Sequence, residues 1–174
     1  DDLVTGVQTC ALPISIIAWG DDFNRIRFQI IDQSGNAVGT LTEISTDGSS
    51  QDHLKPPRVV PKPSGGFYIV WATHVGSSAK LQMREYTDTG SELGTVRTLA
   101  TFAMQSGYAV RLMGGVGYSN GDLVIGYQQG LNQAHVDGYG AYGNYVAYLE
   151  KFDSQGVRVA GPTAVFEPRS EEHT

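Results

Sequence analysis

The feature that most constrains the fold is a unit of short strands separated by glycine turns, clearest in residues 65–94. Gly65-Gly66 marks a turn, because only glycine enters positive φ without steric cost. Residues 67–71, FYIVW, are aromatic and β-branched, and residues 81–86 alternate with the period of two that a strand requires. Thr87-Asp88-Thr89-Gly90 then has the composition of a hairpin turn. The unit therefore predicts strands and no helix.

The same unit occurs three times along the chain. The aromatic residues that end its first strand, Trp19, Trp71 and Tyr127, are 52 and 56 residues apart. The turn glycines, at positions 35, 90 and 156, are 55 and 66 residues apart. Such a period indicates a repeat array, and four short strands per repeat favour a propeller blade over a solenoid coil. We predict an all-β chain of about eleven antiparallel strands, forming an incomplete β-propeller of about three four-stranded blades. A β-sandwich is the alternative.

The predicted propeller covers residues 16–168, with blades at about 16–50, 51–105 and 106–168. Innermost strands are expected at residues 58–61 and 108–118, and Gly114, Gly115 and Gly117 in the second of these permit close packing near a crowded axis. The innermost strand of the first blade is expected to precede residue 16, so the first blade is expected to be partial. A closed propeller has four to eight blades, so the end blades should present uncovered apolar faces. We therefore expect the isolated chain to self-associate.

The repeat resembles a family. The pattern G-G-F-x-V-x-W, an alternating strand and then F/Y-D-x-x-G-x-x-x-G is similar to repeats of large secreted bacterial hemolysin-like and adhesin-like proteins. The matching residues are Gly65, Gly66, Phe67, Val70, Trp71, Tyr86, Gly90 and Gly94. The resemblance implies a β-propeller in a secreted or cell-surface bacterial protein, with a non-enzymatic scaffold function in adhesion or glycan binding. Because propellers host unrelated functions, a fragment of a propeller glycoside hydrolase is the alternative.

Both ends of the chain depart from the repeat. Residues 1–15 and 169–174 resemble translated sequencing-adapter tails found on metagenomic reading frames, so we expect them to be non-native and to contribute little to the core. A signal peptide is the alternative for the first segment, although its start is acidic and its apolar run short. The only cysteine, Cys10, lies in that segment. Residues 16–168 therefore offer neither a disulfide nor a thiolate nucleophile.

Charge and hydropathy exclude two classes of partner. The formal net charge is −6 for the whole chain and −3 within residues 16–168. A mildly acidic chain without a basic patch is not expected to bind nucleic acid. No apolar run approaches the ~20 residues of a membrane-spanning helix, so membrane insertion is not expected either.

Residues 128–144, QQGLNQAHVDGYGAYGN, are the candidate binding region. Tyr127 and Gly156 are 29 residues apart, against 19 between Trp71 and Gly90, so the third repeat carries about ten extra residues, expected as a loop. Tyrosine offers a flat face and a hydroxyl, which suit sugar rings. In a propeller this loop shares a rim with the connections between blades. The candidate binding residues are Asp52, His53, Tyr108, His135, Asp137, Tyr139 and Tyr142. The alternative is a surface excursion that packs its own tyrosines.

No catalytic or metal-binding residue is predicted, and no cofactor. The histidines lack metal-ligand spacing, and the loop acids Asp52, Asp122 and Asp137 lie in no hydrolase motif. Residues 47–52 contain oxygen ligands and a glycine without the alternating order of a calcium loop, which leaves calcium open there.

Overall fold

The structure is a computed structural model that describes residues 15–20, 25–45, 57–75, 77–103, 110–137 and 140–166. This part of the chain contains eleven β-strands and no helix, which confirms the all-β prediction, and it accordingly holds no helix that could cross a membrane. The strands are β1 (Ser15–Gly20), β2 (Arg25–Ile31), β3 (Ala37–Ser45), β4 (Arg58–Pro61), β5 (Phe67–Val75), β6 (Ser78–Tyr86), β7 (Glu92–Ala103), β8 (Val110–Gly117), β9 (Leu123–Asp137), β10 (Gly140–Phe152) and β11 (Arg158–Phe166).

These strands form three separate antiparallel sheets, each built from strands consecutive in the chain. The first sheet has the order β1-β2-β3, the middle sheet β4-β5-β6-β7, and the third sheet β8-β9-β10-β11. A β-sandwich would have two sheets. Sequence spacing aligns β1 with β5 and β9, so in the described residues the first sheet holds the last three strands of the unit. The innermost strand expected before residue 16 is not among them.

The sheets are stacked, and a separate hydrophobic core fills each space between consecutive sheets. We call the face of a sheet that points to the preceding sheet its leading face, and the opposite one its trailing face. The leading face of the middle sheet supplies Phe67, Ile69 and Trp71, which pack against Phe28 and Ile44 of the first sheet. Its trailing face packs against the leading face of the third sheet. Alternation along each strand creates the two faces. The second core contains Val60, Tyr68, Val70, Ala72, Leu81, Met83, Leu112, Leu123, Ile125, Tyr127 and Phe152.

The first strands of the middle and third sheets, β4 and β8, approach each other closely. A Cβ atom at Gly115 would lie 2.9 Å from Val60 Cγ2, and one at Gly117 would overlap the Pro61 carbonyl oxygen. Arg58 Nε donates a hydrogen bond of 3.0 Å to the Met113 carbonyl oxygen across the same contact. Glycine is therefore needed in β8 because two backbones meet there. A Cβ at Gly114 meets nothing within 4 Å, so the predicted close packing holds for two of the three glycines.

Five hairpin turns share one geometry, and all five lie at the same end of the strands. In each, the first residue's amide donates to the fifth residue's carbonyl, and the glycine at the fourth position donates back to the first, as in Thr87 N to Ser91 O (2.9 Å) and Gly90 N to Thr87 O (3.0 Å). All five glycines have positive φ, which explains the glycine period of the sequence. The turns begin at Asp32, Lys62, Thr87, Tyr118 and Asp153.

Candidate functional site: a ribbon beyond the third sheet

Residues predicted to form a loop instead extend two strands of the third sheet. The last pair between β8 and β9 is Val110 with Gln129, and the last between β11 and β10 is Phe166 with Ala147. Beyond them, residues 130–137 and 140–145 pair only with each other in the described chain. We call this two-stranded extension of the third sheet the ribbon. The loop prediction is therefore wrong for residues 128–137 and 140–144. Pairing between two long neighbouring strands satisfies the backbone groups that this glycine-rich sequence would otherwise expose.

The ribbon register brings three of the predicted binding positions together. Tyr142 lies directly opposite His135, and Gly140 opposite Asp137. Because positions i and i+2 share a face of a strand, positions 135, 137 and 142 share one face of the ribbon. Tyrosine, histidine and aspartate are residue types that can stack on a sugar ring or hydrogen-bond its hydroxyls.

The other predicted binding residues, Asp52, His53, Tyr108 and Tyr139, lie outside the described residues, as does the calcium candidate at 47–52. β3 precedes the segment that contains Asp52 and His53, and β7 precedes the segment that contains Tyr108. The ends of these two strands show where each connection to the next sheet begins. β3 ends where Ser45 pairs with Arg25, and β7 ends where Ala103 pairs with Ser78. Both connections to the next sheet therefore start at the strand ends opposite the five turns. The ribbon extends from the third sheet at the corresponding strand ends, opposite the turns. That these residues share a rim stays a prediction.

The turn edge carries fixed carboxylates that do not form a ligand site. Asp32 Oδ1 accepts hydrogen bonds of 2.8 Å from the amides of Ser34 and Asn36, and these bonds, that of Asn36 first, lower the pKa of the Asp32 carboxyl. Asp122 pairs with Lys151 at 2.8 Å, which lowers the pKa of Asp122 and raises that of Lys151. Asp32 thus stabilises its own turn, and the Asp122–Lys151 pair joins the turn between β8 and β9 to β10.

A buried glutamate that sequence reasoning missed lies on the leading face of the third sheet. Glu150 is 1% exposed, accepts a hydrogen bond of 3.2 Å from the Tyr127 hydroxyl, and forms an ion pair with Arg158. Burial raises the pKa of the Glu150 carboxyl, while Arg158 and Tyr127 oppose that rise. Burial and the nearby carboxylate likewise raise the pKa of Tyr127. A visible signal was available, since Glu150 continues the core-facing alternation of Val146, Tyr148 and Phe152.

The equivalent positions of the middle sheet hold the opposite charges. Sequence spacing aligns Glu150 with Arg84 and Arg158 with Glu92, and these two also form an ion pair. The polarity of the pair is thus reversed while its place in the sheet is kept. Nearby, Gln82 Oε1 accepts hydrogen bonds of 3.2 Å from Trp71 Nε1 and from Thr73 Oγ1. The Gln82 carbonyl, the Trp71 indole and the Thr73 hydroxyl thus meet the requirement that buried polar atoms find partners.

The described residues hold no group of three or more His, Cys, Asp or Glu side chains that could bind a metal ion. Comparisons with protein-family models, with curated proteins and with solved structures found no match. The geometry of the chain is therefore the basis for any functional argument.

Proposed function

We propose that this chain is a non-enzymatic β-propeller segment, and that its stacked sheets act as a rigid scaffold for the β9–β10 ribbon, which binds a glycan. The observation that carries the proposal is that both sheet-to-sheet contacts repeat one packing relation. The strand-ending aromatic of the later sheet, Trp71 or Tyr127, is buried in the core it shares with the earlier sheet. A stack of small sheets related in this way is what propeller blades require.

The turn glycines support the same relation. Gly90 of the middle sheet lies against Ile30 and Phe28 of the first sheet, and Gly156 of the third sheet lies against Leu99 and Met83 of the middle sheet. Each later turn thus packs on the earlier sheet in the same manner. A rigid stack of this kind positions binding groups on connections and hairpins. The proposed extracellular or cell-surface location is supported by the resemblance to secreted repeat proteins alone.

The hydrolase alternative needs two carboxyl groups that face one cleft, about 5–10 Å apart. Glu150 has the raised pKa expected of a catalytic acid, but it is buried between two sheets and paired with Arg158. It is held by the core and does not supply a cleft. We therefore place the function in binding.

The binding proposal can be tested with a glycan array probed by the wild-type chain and by the double variant Tyr139→Ala, Tyr142→Ala. We expect the double variant to lose binding, because stacking on aromatic faces contributes much of the affinity for sugars. Tyr118→Ala is the matched control, since Tyr118 is an exposed tyrosine in the turn between β8 and β9, at the strand ends opposite the ribbon. Unchanged binding by the double variant, or equal loss in the control, would remove the ribbon from consideration.

A further inference from the structure

The leading face of the first sheet is apolar and uncovered in the described residues. Ile17 is 55% exposed and Trp19 is 36% exposed. They are equivalent in sequence to Ile69 and Trp71, which are 0% and 1% exposed because the first sheet covers them. Ile17 and Trp19 thus have the side chains of a sheet-to-sheet contact without a neighbouring sheet.

Charged groups on this leading face are already paired. Arg27, directly opposite Trp19 in the sheet, donates two hydrogen bonds of 3.2 Å to Glu43 Oε2, and Arg25 lies 3.5 Å from the same carboxylate. Covering this face would therefore bury charges that already have a partner, although the two arginines and one glutamate together keep one net positive charge.

The trailing face of the third sheet is uncovered in the complementary way. Met113, Val116 and Leu149 are 53%, 59% and 43% exposed. Val116 and Leu149 are equivalent to Val60 and Met83 of the middle sheet, which the third sheet covers to 0% and 1% exposure. Contiguous exposed apolar side chains of this kind mark contact surfaces.

The two contacts inside the chain show how such faces fit together, since each joins the trailing face of one sheet to the leading face of the next. We propose that a second copy of this chain docks in the same way, so that the first sheet of each copy covers the third sheet of the other. This inference rests on the propeller part of the proposed function. It is supported by continuity, because the new contact repeats an interface that the molecule already makes twice.

Head-to-tail contacts close into a ring or extend into a filament. Two copies supply six sheets, which is within the four to eight that a propeller closes with. A closed particle of two chains therefore uses both open faces of both copies and leaves none exposed. The proposal thus predicts a discrete dimer and no larger series.

The test uses size-exclusion chromatography with light scattering, and native mass spectrometry, on the full chain and two variants. Ile17→Glu places a charge on the leading face and Leu149→Glu places one on the trailing face. Both side chains are exposed, so both variants should keep the wild-type circular dichroism spectrum. Each variant should raise the dissociation constant of the dimer at least about a hundredfold, as expected for an unpaired charge buried in a contact. Leu93→Glu, on the outermost strand of the middle sheet, is the matched control and should remain dimeric.

Mixing the two variants separates head-to-tail docking from other geometries. The Ile17→Glu chain keeps an intact trailing face and the Leu149→Glu chain an intact leading face. Their mixture should therefore form a one-to-one dimer through that one intact contact, whereas neither variant alone retains an intact contact. A symmetric contact between identical faces would be lost in only one variant and would overturn the proposal. A wild-type monomer at about 100 µM, or an open series of larger oligomers, would also overturn it. The glycan array reads out the ribbon alone, so either test can fail without the other.

Discussion

The middle and first sheets carry the same residue types at equivalent positions in different surroundings. Ile69 and Trp71 are buried by the first sheet, whereas Ile17 and Trp19 have no sheet before them in the described chain. The repeat therefore specifies a sheet with two contact faces. Whether a given isoleucine becomes part of a core depends on its place in the stack and on what stands beside it.

The turn glycines of the three sheets also differ in their surroundings. A Cβ at Gly90 would lie 3.1 Å from Ile30 Cδ1, and one at Gly156 would lie 3.2 Å from Leu99 Cδ2. At Gly35 of the first sheet nothing lies within 4 Å. All three glycines have positive φ, so the turn requires each of them. Only the later two also serve packing between sheets.

The strongest way to break this comparison is to remove the equivalent tryptophans. Trp71→Ala should lower the free energy of unfolding by about 3–5 kcal/mol, because it empties a filled core. Trp19→Ala should lower it by less than about 1 kcal/mol, because the indole is partly exposed. Urea unfolding, at a concentration where the chain is monomeric, measures both. Equal losses for the two variants would mean that the first sheet is covered and that the comparison fails.

A smaller effect tests the close approach of β4 and β8. Gly117→Ala should cost about 1–3 kcal/mol, because the added methyl group overlaps the Pro61 carbonyl and the two strands must separate. Gly114→Ala is the control in the same strand and should change stability by less than about 0.5 kcal/mol, since its methyl group enters open space. Thermal unfolding of the two variants gives the difference. A neutral Gly117→Ala would show that these strands are not in contact.

The third prediction concerns the reversed ion pair. Because the pKa of Glu150 is raised above its ordinary value of 4.5, the folded chain holds this proton more tightly than the unfolded chain. The stability contributed by the protonated form is complete below about pH 4.5 and is lost as pH rises through the folded pKa. The unfolding free energy of wild type relative to Glu150→Gln should therefore fall across this window. The difference should be flat at higher pH.

Urea titrations from pH 4 to 8 test this dependence, and Tyr127→Phe sharpens it. The Tyr127 hydroxyl donates to Glu150 and so lowers its pKa. Removing that donor should extend the loss of stability to higher pH. A difference between wild type and Glu150→Gln that rises with pH would contradict the assigned direction.

Much of the fold could be predicted from local pattern. Period-two alternation predicted the strands, and the glycine of each hairpin predicted the turns, because a positive φ at a fixed position leaves few other residues. The surroundings of each face could not be predicted in this way. Alternation says that Ile17 and Ile69 each lie on a face, but whether another sheet covers that face is a property of the stack. Trp19 ends a strand of the same pattern as Trp71, yet Trp71 is buried and Trp19 is partly exposed.

The candidate site was less predictable for a different reason. The extra length of the third repeat was visible, but glycine and polar residues have weak strand propensity, so residues 128–144 were expected as a loop. Continued pairing between β9 and β10 overrode that propensity. The register that places His135 opposite Tyr142 follows from the pairing and could not be predicted from residue types alone.

The most direct test of the account is amide hydrogen exchange by mass spectrometry on the Leu149→Glu chain, in which the open faces should stay open. The strands β2, β6 and β10 are each hydrogen-bonded to a strand on either side. They therefore differ mainly in whether one face or both faces of their sheet are covered by another sheet. We predict that amides of β6 exchange at least about tenfold more slowly than those of β2 and β10, since its sheet is covered on both faces. Exchange in β2 or β10 as slow as in β6 would contradict the claim that, of the three described sheets, only the middle one is covered on both faces.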